Sequence, residues 1–341
     1  MSLSVPRVGV VGAGGMGACH ARNIAALDGA VLAWVADPDG DKAQALADEL
    51  GTEWLADAEE ALDDCEAVVV ASPDRFHAGA VHAALDHSRP ILVEKPLTVE
   101  LADALGIVNR EVDLGRRLVQ VGFMRVYDPR HVQVRDALGS LGEVHHIRSV
   151  HRNTVSTART VPRILVESVI HDLHTVRWLS GREIEEVTTT TVERDDTVRM
   201  VVVLCRLVGG AIATIEFDDA AAGYEVSVEV TAERGNVVAA EPYRATVRAA
   251  GSVGATIGAD WFAPFLEAYR VEMTDWLASV RSGAARGPSA WDGYAAQAAV
   301  VAAAASGQSR RPEAVEMVER PAIYRGARDL ARGPTSIEEQ R

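Results

Sequence analysis

The chain has 341 residues, of which 48% are hydrophobic and 24% are charged, and its formal net charge is −15 at pH 7. This length and composition are typical of a globular protein with two domains of ~100–200 residues each. The acidic charge argues against a nucleic-acid partner, because phosphates require a basic surface. Neither a signal-peptide pattern nor an apolar run of the ~18 residues that span a membrane is present, so we expect a cytoplasmic protein without a membrane partner. The three cysteines form no CxxC pair and lie near no histidine at ligand spacing, so neither a disulfide framework nor a metal site is predicted.

Up to residue 122, short apolar runs alternate with helical patterns, which is typical of βαβ units on a parallel sheet. The predicted strands are Arg7–Val11, Val31–Ala36, Ala67–Ala71, Ile91–Glu94 and Leu118–Val121, and the predicted helices lie near Gly15–Ala26, Asp41–Leu50, His77–Asp86 and Val99–Gly115. We therefore expect residues 1–122 to form a Rossmann domain with a doubly wound parallel sheet.

After Gly122 the pattern changes to helices followed by consecutive strands. The predicted helices are Pro129–Leu138, Pro162–Leu179, Trp261–Ser282 and Trp291–Ser306, and the predicted strands are Val144–His151, Glu185–Glu193, Val198–Leu207, Ala211–Phe217, Glu225–Ala232, Val237–Ala240 and Ala245–Arg248. Strands this close in sequence are expected to pair antiparallel with their neighbours. We predict an α+β domain over 123–325 with a large, mostly antiparallel open sheet, and a polar tail over 326–341.

A glycine-rich motif follows the first strand and opens the first helix. Its residues are Gly12, Gly14, Gly15, Met16 and Gly17, in the pattern GxGxxG that binds the pyrophosphate of a dinucleotide. Asp37 ends the next strand, where a carboxylate binds the ribose 2′-OH and repels a 2′-phosphate. The motif therefore predicts NAD rather than NADP; the alternative is a glycine-rich turn with a surface aspartate.

Two further groups of polar residues are candidates for the chemistry. Lys95 lies at the carboxyl end of a predicted buried strand, where open α/β sheets bind their ligands, although a lysine in a surface turn has the same pattern. Glu167, His171 and His174 have i, i+4 and i+7 spacing, which places them on one face of a helix. A carboxylate one turn from an imidazole orients it as a general base; the alternative is a solvent-facing polar stripe.

Several segments resemble the Gfo/Idh/MocA oxidoreductase family, in particular its inositol dehydrogenases. The segments are Glu94-Lys95-Pro96, Gly122-Phe123-Met124-Arg125, His151-Arg152-Asn153, Ile170-His171-Asp172-Leu173 and Gly223-Tyr224-Glu225-Val226. The resemblance implies an NAD-dependent oxidation of a secondary hydroxyl of a cyclitol or sugar to the ketone.

The resemblance also implies roles for individual residues. Lys95 and His171 would be catalytic, with His171 as general base or Lys95 in that role, and Glu167 would orient either of them. Glu94 and Lys95 would line the cofactor site together with the glycine motif. Independently of the resemblance, Ser72, Pro73 and His77 follow a strand of the nucleotide domain and are expected near the cofactor; the alternative for His77 is a polar residue at the N-terminus of a helix. Arg125, His151, Asn153, His174 and Tyr224 would bind the substrate. Family members resembling this chain also associate through the sheet of the second domain.

Glu167 and His174 depart from the family pattern, which has aspartate at both positions. The departures predict that myo-inositol is a poor substrate and that a related cyclitol, amino sugar or sugar derivative is preferred. Aminocyclitol or nucleotide-sugar oxidation and ketose reduction stay open as alternatives. An NAD-dependent glycosidase and a non-catalytic NAD-sensing regulator also share this fold, although retention of Lys95 and His171 argues against the regulator.

The strands at Val198–Leu207 and Ala211–Phe217 carry apolar residues at both strand parities. A helix layer covers only one face of a sheet, so the other face requires a partner. We therefore expect a homodimer or homotetramer that associates through this sheet.

Overall fold

The structure is a computed structural model that describes residues 5–154, 159–194, 197–239, 246–249, 252–255, 258–283 and 285–325. Its two compact units are discontinuous in sequence. The first contains the described residues up to Met124, the segment Ala268–Ala295 and the described residues from Val318 onward; the second contains Arg125–Glu267 and Ala296–Met317. The predicted tail, 326–341, lies outside the described residues.

The second domain that we predicted as one continuous range, 123–325, is thus divided between the units. The reason is the packing of the segment from Ala268 onward. Met273, Trp276 and Leu277 are buried in the same apolar core as Val8 and Val10 of the first strand. Burial of apolar surface on the first unit therefore decides the assignment of this segment, and no change of pattern in the sequence marks its return.

The first unit is built on a six-stranded parallel sheet with the strand order β3-β2-β1-β4-β5-β6. Its elements are β1 Arg7–Val11, α1 Gly15–Ala25, β2 Val31–Ala36, α2 Gly40–Leu50, β3 Glu53–Leu55, β4 Ala67–Val70, α3 His77–Asp86, β5 Ile91–Glu94, α4 Leu101–Leu114 and β6 Val119–Gly122. The predicted parallel sheet is confirmed. The strand order reverses between β1 and β4, and ligands bind outside the carboxyl ends of the strands at such a point.

The second unit contains a seven-stranded sheet with the order β12-β11-β7-β10-β9-β8-β15. Its elements are α5 Pro129–Leu141, β7 Val144–Thr154, α6 Val161–Ile164, α7 Ile170–Ser180, β8 Ile184–Arg194, β9 Thr197–Leu207, β10 Ile212–Ala221, β11 Glu225–Ala232, β12 Gly235–Ala239, the hairpin β13 Thr246–Ala249 and β14 Ser252–Ala255, and β15 Glu313–Ala314. Two long helices, α8 Leu266–Ser282 and α9 Ala290–Ser309, lie between β14 and β15 in the chain.

The sheet of the second unit is mostly antiparallel, as predicted, but β10 and β11 are not neighbours. β7 lies between them, parallel to β10 and antiparallel to β11. The expectation that every strand pairs with the next one in sequence is wrong at this point. The short link from Ala221 to Glu225 crosses the end of β7, where Ala221 pairs with Thr154 and Glu225 pairs with Arg152.

The predicted helix Pro162–Leu179 is interrupted. A π-helical turn, Leu165–Val169, separates α6 from α7. A π-turn contains more residues per turn than an α-helix, so the i, i+4 relation between Glu167 and His171 no longer places them on one face. In the described part of the chain, no helix is long and apolar enough to cross a membrane.

Candidate active site

The glycine loop between β1 and α1 packs tightly against the protein on one side and has free space on the other. Gly12 has a φ of +102°, and a Cβ there would lie 2.6 Å from the carbonyl oxygen of Ala71. A Cβ on Gly17 would lie 1.8 Å from the carbonyl oxygen of Gly12. By contrast, a Cβ on Gly14 or Gly15 would meet no atom within 4 Å. This arrangement suits close approach of a pyrophosphate to the backbone and to the N-terminus of α1, whose first turn contains the half-buried Met16.

Asp37 follows β2, and its carboxylate is fixed beside the glycine loop. One oxygen accepts a hydrogen bond from the backbone N–H of Ala13 at 2.8 Å, and the other accepts from the backbone N–H of Asp39 at 2.9 Å. Pro38 follows, so no guanidinium adjoins the carboxylate in sequence. An acceptor-only group at this strand end suits ribose hydroxyls and disfavours a phosphate.

Ser72 and Pro73 follow β4, which is the neighbour of β1 in the sheet. The Oγ of Ser72 is buried and has no hydrogen-bond partner in the described part of the chain, whereas Pro73 is exposed. Buried hydroxyls are normally hydrogen-bonded, so this one suits a ligand that supplies the missing partner. The carboxyl ends of β1, β2 and β4 thus offer a set of groups that fits a dinucleotide.

The segment that carries Lys95 is held through the residue before it. Glu94 is buried at the end of β5; its Oε1 accepts a hydrogen bond from Nε2 of His20 at 2.8 Å, and its Oε2 accepts from the backbone N–H of Lys95 at 3.3 Å. Burial alone would raise the pKa of Glu94, but the hydrogen bond from His20 and the charge of Lys95 lower it. The carboxylate is therefore ionised beneath Lys95. From the sequence, His20 is interpreted as a structural or exposed residue without a site role.

His77 holds the same segment from its other side. Its Nδ1 lies 2.8 Å from the carbonyl oxygen of Pro96, and its Nε2 lies 2.8 Å from the carbonyl oxygen of Ser72. The ring is fully buried. The geometry thus links the loop after β4 to the segment after β5, and His77 supports both. Its place in the cofactor site stays a prediction.

A second buried carboxyl group lies near Glu94. Neither carboxylate oxygen of Glu272, on α8, has a hydrogen-bond partner in the described part of the chain. Burial, followed by the charges of Glu94 and Asp275, raises the pKa of Glu272 well above its ordinary value. Burial, followed by the charges of Glu94 and Glu272, raises the pKa of the Cys19 thiol to about 11. The fold therefore favours the neutral carboxyl form of Glu272.

In the second unit, three polar side chains surround the buried carboxylate of Asp172. Two of them, Arg125 and His151, are predicted substrate residues, and the third is Ser149. Asp172 accepts hydrogen bonds from Nη1 of Arg125 at 2.5 Å and from Oγ of Ser149 at 2.7 Å. Its other oxygen lies 3.0 Å from Nδ1 of His151, and that nitrogen lies 3.1 Å from Nη2 of Arg125. From the sequence we predicted no role for Asp172. Every residue from Ile170 to Leu179 is buried, so the charged Asp172 requires a partner, but this burial cannot be read from the sequence.

Aromatic rings fix the imidazole of His151. The ring centroid of Phe217 lies 5.0 Å away and that of Tyr224 5.7 Å away, and both rings meet the imidazole edge-on. Burial, together with the charge of Arg125, lowers the pKa of His151. The pKa of Asp172 is also lowered, because Arg125 and His151 outweigh the effect of burial. The cluster therefore consists of a neutral histidine between an ionised aspartate and an arginine.

The predicted catalytic His171 and the predicted substrate residues His174 and Asn153 lie on α7 and β7, the elements that carry Asp172 and His151. His171 and His174 are one turn apart on α7, with 8% and 1% of their surface exposed. Asn153 is half-buried on β7, two residues beyond His151 and hence on the same side of the strand. Among the predicted substrate residues, His151 contacts both Arg125, through its Nδ1, and Tyr224, through its ring.

Glu167 lies in the π-turn, and its carboxylate is bound by arginines. It accepts from Nε of Arg163 at 2.6 Å and from Nη1 of Arg159 at 3.3 Å. Arg159 also donates to Asp219 and lies over the ring of Phe217. These ion pairs compete with the role we predicted for Glu167 in orienting His171 or Lys95, which stays a prediction.

Comparison with known proteins decides the family. The model described as "Oxidoreductase family, NAD-binding Rossmann fold" matches residues 6–123, and the model of the GFO/IDH/MocA C-terminal domain matches residues 131–238. The chain belongs to the Gfo/Idh/MocA oxidoreductase family. The predicted family, fold class and cofactor are confirmed, and this Gfo/Idh/MocA protein is an NAD-dependent oxidoreductase.

Several proteins similar to this Gfo/Idh/MocA chain are named as inositol dehydrogenases. It is 39% identical to inositol 2-dehydrogenase 1 of Saccharopolyspora erythraea over 332 residues, 93% of this chain and 98% of the relative. It is 40% identical to inositol 2-dehydrogenase of Rubrobacter xylanophilus over 331 residues, 93% of this chain and 95% of the relative. The crystal structure of myo-inositol dehydrogenase from Lactobacillus casei in complex with NAD(H) and myo-inositol matches with a TM-score of 0.89 at 27% identity, covering 94% of this chain and 100% of that one.

Proposed function

We propose that this enzyme oxidises a secondary hydroxyl of a cyclitol to the ketone, with NAD as the hydride acceptor. The observation that carries the proposal is the position of Lys95. It follows β5 at the sheet edge where the glycine loop follows β1 and Ser72 follows β4, and Glu94 and Pro96 on either side of it are bound by His20 and His77. The names of the inositol dehydrogenase relatives support the same activity.

The reaction requires removal of the proton from the hydroxyl oxygen and of a hydride from the carbon that bears this hydroxyl. The cofactor supplies the hydride acceptor, and the protein supplies orientation and proton transfer. We propose that His171 accepts the hydroxyl proton and that the ammonium of Lys95 stabilises the charge that develops on the alkoxide oxygen. Lys95 as the proton acceptor is the variant of this assignment.

Arg125, His151, Asn153, His174 and Tyr224 are proposed to bind the remaining hydroxyls. The contacts between Arg125, His151 and Tyr224 support this set, because they collect donors, an acceptor and a phenol in one place. Such groups are matched by a substrate with several ring hydroxyls. The proposed partner is thus a small polyol, and the predicted cytoplasmic location stays a prediction.

We propose that Glu167 and His174 determine which cyclitol the enzyme prefers. Glu167 reaches one methylene further than aspartate and is shared by two arginines, and His174 both donates and accepts where a carboxylate only accepts. We expect myo-inositol to be a poor substrate relative to another cyclitol or an amino sugar, because a site discriminates strongly against unpaired polar groups. The change Glu167→Asp with His174→Asp should raise kcat/KM for myo-inositol.

The test is a screen for NADH formation with purified enzyme and NAD. The panel should contain myo-inositol, scyllo-inositol, an aminocyclitol, glucose and a nucleotide sugar. We expect NADH from at least one cyclitol, in equimolar amount with the ketone. NADH from the nucleotide sugar alone, or none from the whole panel, would contradict the proposal, and a higher kcat/KM for myo-inositol than for every other polyol would refute the substrate preference.

We also propose that the enzyme is a homodimer or homotetramer built on the outer face of the second unit's sheet. Along β9, Val201 and Val203 point into the core, whereas Met200, Val202 and Leu204 point outward, and Leu204 is 41% exposed. Ile212 on the adjacent strand is 43% exposed. A row of exposed apolar residues on a sheet face is typical of a protein interface.

A further inference from the structure

Asp172 is the central group of the buried cluster in the second unit. It is fully buried on α7, directly after His171. One oxygen accepts from Arg125 and Ser149, and the other faces Nδ1 of His151 at 3.0 Å. Both oxygens are therefore satisfied within the protein, so Asp172 acts on a ligand only through its neighbours.

Nδ1 of His151 lies between a group that only accepts and a group that only donates. The carboxylate of Asp172 has no proton to offer at 3.0 Å, and the guanidinium of Arg125 has no lone pair at 3.1 Å. The nitrogen satisfies one of them and not the other. The hydrogen bond to the carboxylate is the stronger of the two, because the full negative charge is confined to two oxygens whereas the positive charge of Arg125 is spread over the guanidinium and already neutralised by Asp172.

We propose that Asp172 is a positioning residue that holds His151 as the Nδ1–H tautomer, so that Nε2 offers the substrate a hydrogen-bond acceptor. In the described part of the chain, Nε2 of His151 makes no hydrogen bond. The edge-on rings of Phe217 and Tyr224 fix the plane of the imidazole. Ionisation of Asp172 and neutrality of His151, which follow from their pKa shifts, agree with this assignment. The tautomer rests on the cluster alone, and only the identity of the ligand as a polyol rests on the proposed function.

The tautomer has a consequence for specificity. An acceptor at Nε2 takes the proton of a substrate hydroxyl, and this fixes the direction of the hydroxyl's own lone pairs. A substrate with an acceptor-only group at that position, such as a methyl ether or a ketone, would place two lone pairs against each other, which leaves both groups desolvated and unpaired. Asp172 therefore selects for a donor at one position of the ring.

The test exchanges the carboxylate for its amide, Asp172→Asn. The amide keeps the shape and an oxygen for Arg125, but its NH₂ donates to Nδ1 of His151 and reverses the tautomer. In a catalytic triad the same exchange lowers kcat by about 10⁴-fold because the histidine is held in the wrong tautomer. Because His151 binds substrate rather than the reacting proton, we expect a rise of roughly 10–100-fold in KM for the best cyclitol, a smaller change in kcat, and a Kd for NAD within about 2-fold of wild type.

Asp128→Asn is the matched control. Asp128 is also a buried carboxylate in the second unit held by an arginine and a histidine, with Nη2 of Arg130 at 2.8 Å and Nδ1 of His131 at 2.9 Å. A merely structural role predicts that both variants lose stability and that neither changes the KM. We expect only Asp172→Asn to change the KM.

The tautomer itself is measured by ¹⁵N NMR of histidine-labelled enzyme, with His151→Gln to assign the signal. We expect a protonated Nδ1 in wild type and a protonated Nε2 in Asp172→Asn. A protonated Nε2 in wild type overturns the proposal, and so does an unchanged KM in a folded Asp172→Asn enzyme. If Asp172→Asn does not fold, the wild-type spectrum alone tests the proposal. It also separates this proposal from the proposed function, because it requires no substrate.

Discussion

The glycine loop provides a pair of substitutions that separate folding from cofactor binding. Gly17→Ala adds a Cβ that would lie 1.8 Å from the carbonyl oxygen of Gly12, whereas Gly14→Ala adds a Cβ with no neighbour within 4 Å. Gly14 has a φ of −71° and a ψ of −172°, which alanine adopts without strain. The first change therefore strains the protein itself, and the second occupies only the space that the pyrophosphate requires.

The expected magnitudes follow from these distances. Carbon and oxygen need about 3.5 Å, so Gly17→Ala must displace the backbone by roughly 1.5 Å. Overpacking of this kind costs about 1–3 kcal/mol, which lowers the Tm of a unit of this size by about 3–10 °C. Gly14→Ala should leave the Tm of the cofactor-free enzyme within about 1 °C. A steric loss of about 1–3 kcal/mol against the pyrophosphate would weaken NAD binding by roughly 5–150-fold.

The assay combines scanning calorimetry of the cofactor-free enzyme with calorimetric titration of NAD. We expect Gly17→Ala to lower both the Tm and the affinity for NAD, and Gly14→Ala to lower the affinity alone. Equal losses of Tm in the two variants would refute the reasoning. Wild-type affinity in Gly14→Ala would show that the open side of the loop does not face the pyrophosphate.

Three more outcomes are expected. Lys95→Ala and His171→Ala should each lower kcat by about 10²–10⁴-fold with little change in the Kd for NAD; near-wild-type kcat at pH 7 in His171→Ala would remove its role as base. Leu204→Asp, on the outer sheet face, should lower the molecular mass found by light scattering, whereas Val208→Asp, in the turn after β9, should not; a monomeric wild type at micromolar concentration would contradict the interface. Because the pKa of Glu272 is raised in the folded state, its contribution to stability is complete below its ordinary pKa and is lost as the pH rises toward the folded value. Glu272→Gln should therefore raise the free energy of unfolding more at pH 8 than at pH 5, with the difference growing by up to about 1.4 kcal/mol per pH unit. A gain in stability that does not change with pH would count against a buried neutral carboxyl.

The local pattern of apolar and turn residues was sufficient to predict most strands and helices of the first unit. Arg7–Val11, Val31–Ala36 and Ile91–Glu94 were predicted with the bounds that the structure shows, because buried parallel strands are continuous apolar runs bounded by turn residues. Glu53–Leu55 was missed, since three largely exposed residues show no period. The return of α8 to the first unit was missed because it depends on which core buries the helix.

In the second unit, tertiary effects limited the prediction. The π-turn at Leu165–Val169 leaves the apolar pattern of the helix intact while it rotates Glu167 relative to His171. The insertion of β7 between β10 and β11 is a long-range pairing that neighbouring strands do not indicate. Asp172 was passed over because its importance comes from its burial among Arg125, Ser149 and His151, which are distant in sequence.

The central claim is that hydride passes from a carbinol carbon of a cyclitol to NAD. The direct measurement uses myo- and scyllo-inositol deuterated at their ring carbons, with the reduced cofactor and the cyclitol product analysed by mass spectrometry and NMR. We predict a cofactor deuterated at C4 of the nicotinamide, with one deuterium gained for each ketone formed. Cofactor without deuterium, or a ketone that forms without reduced cofactor, would contradict it.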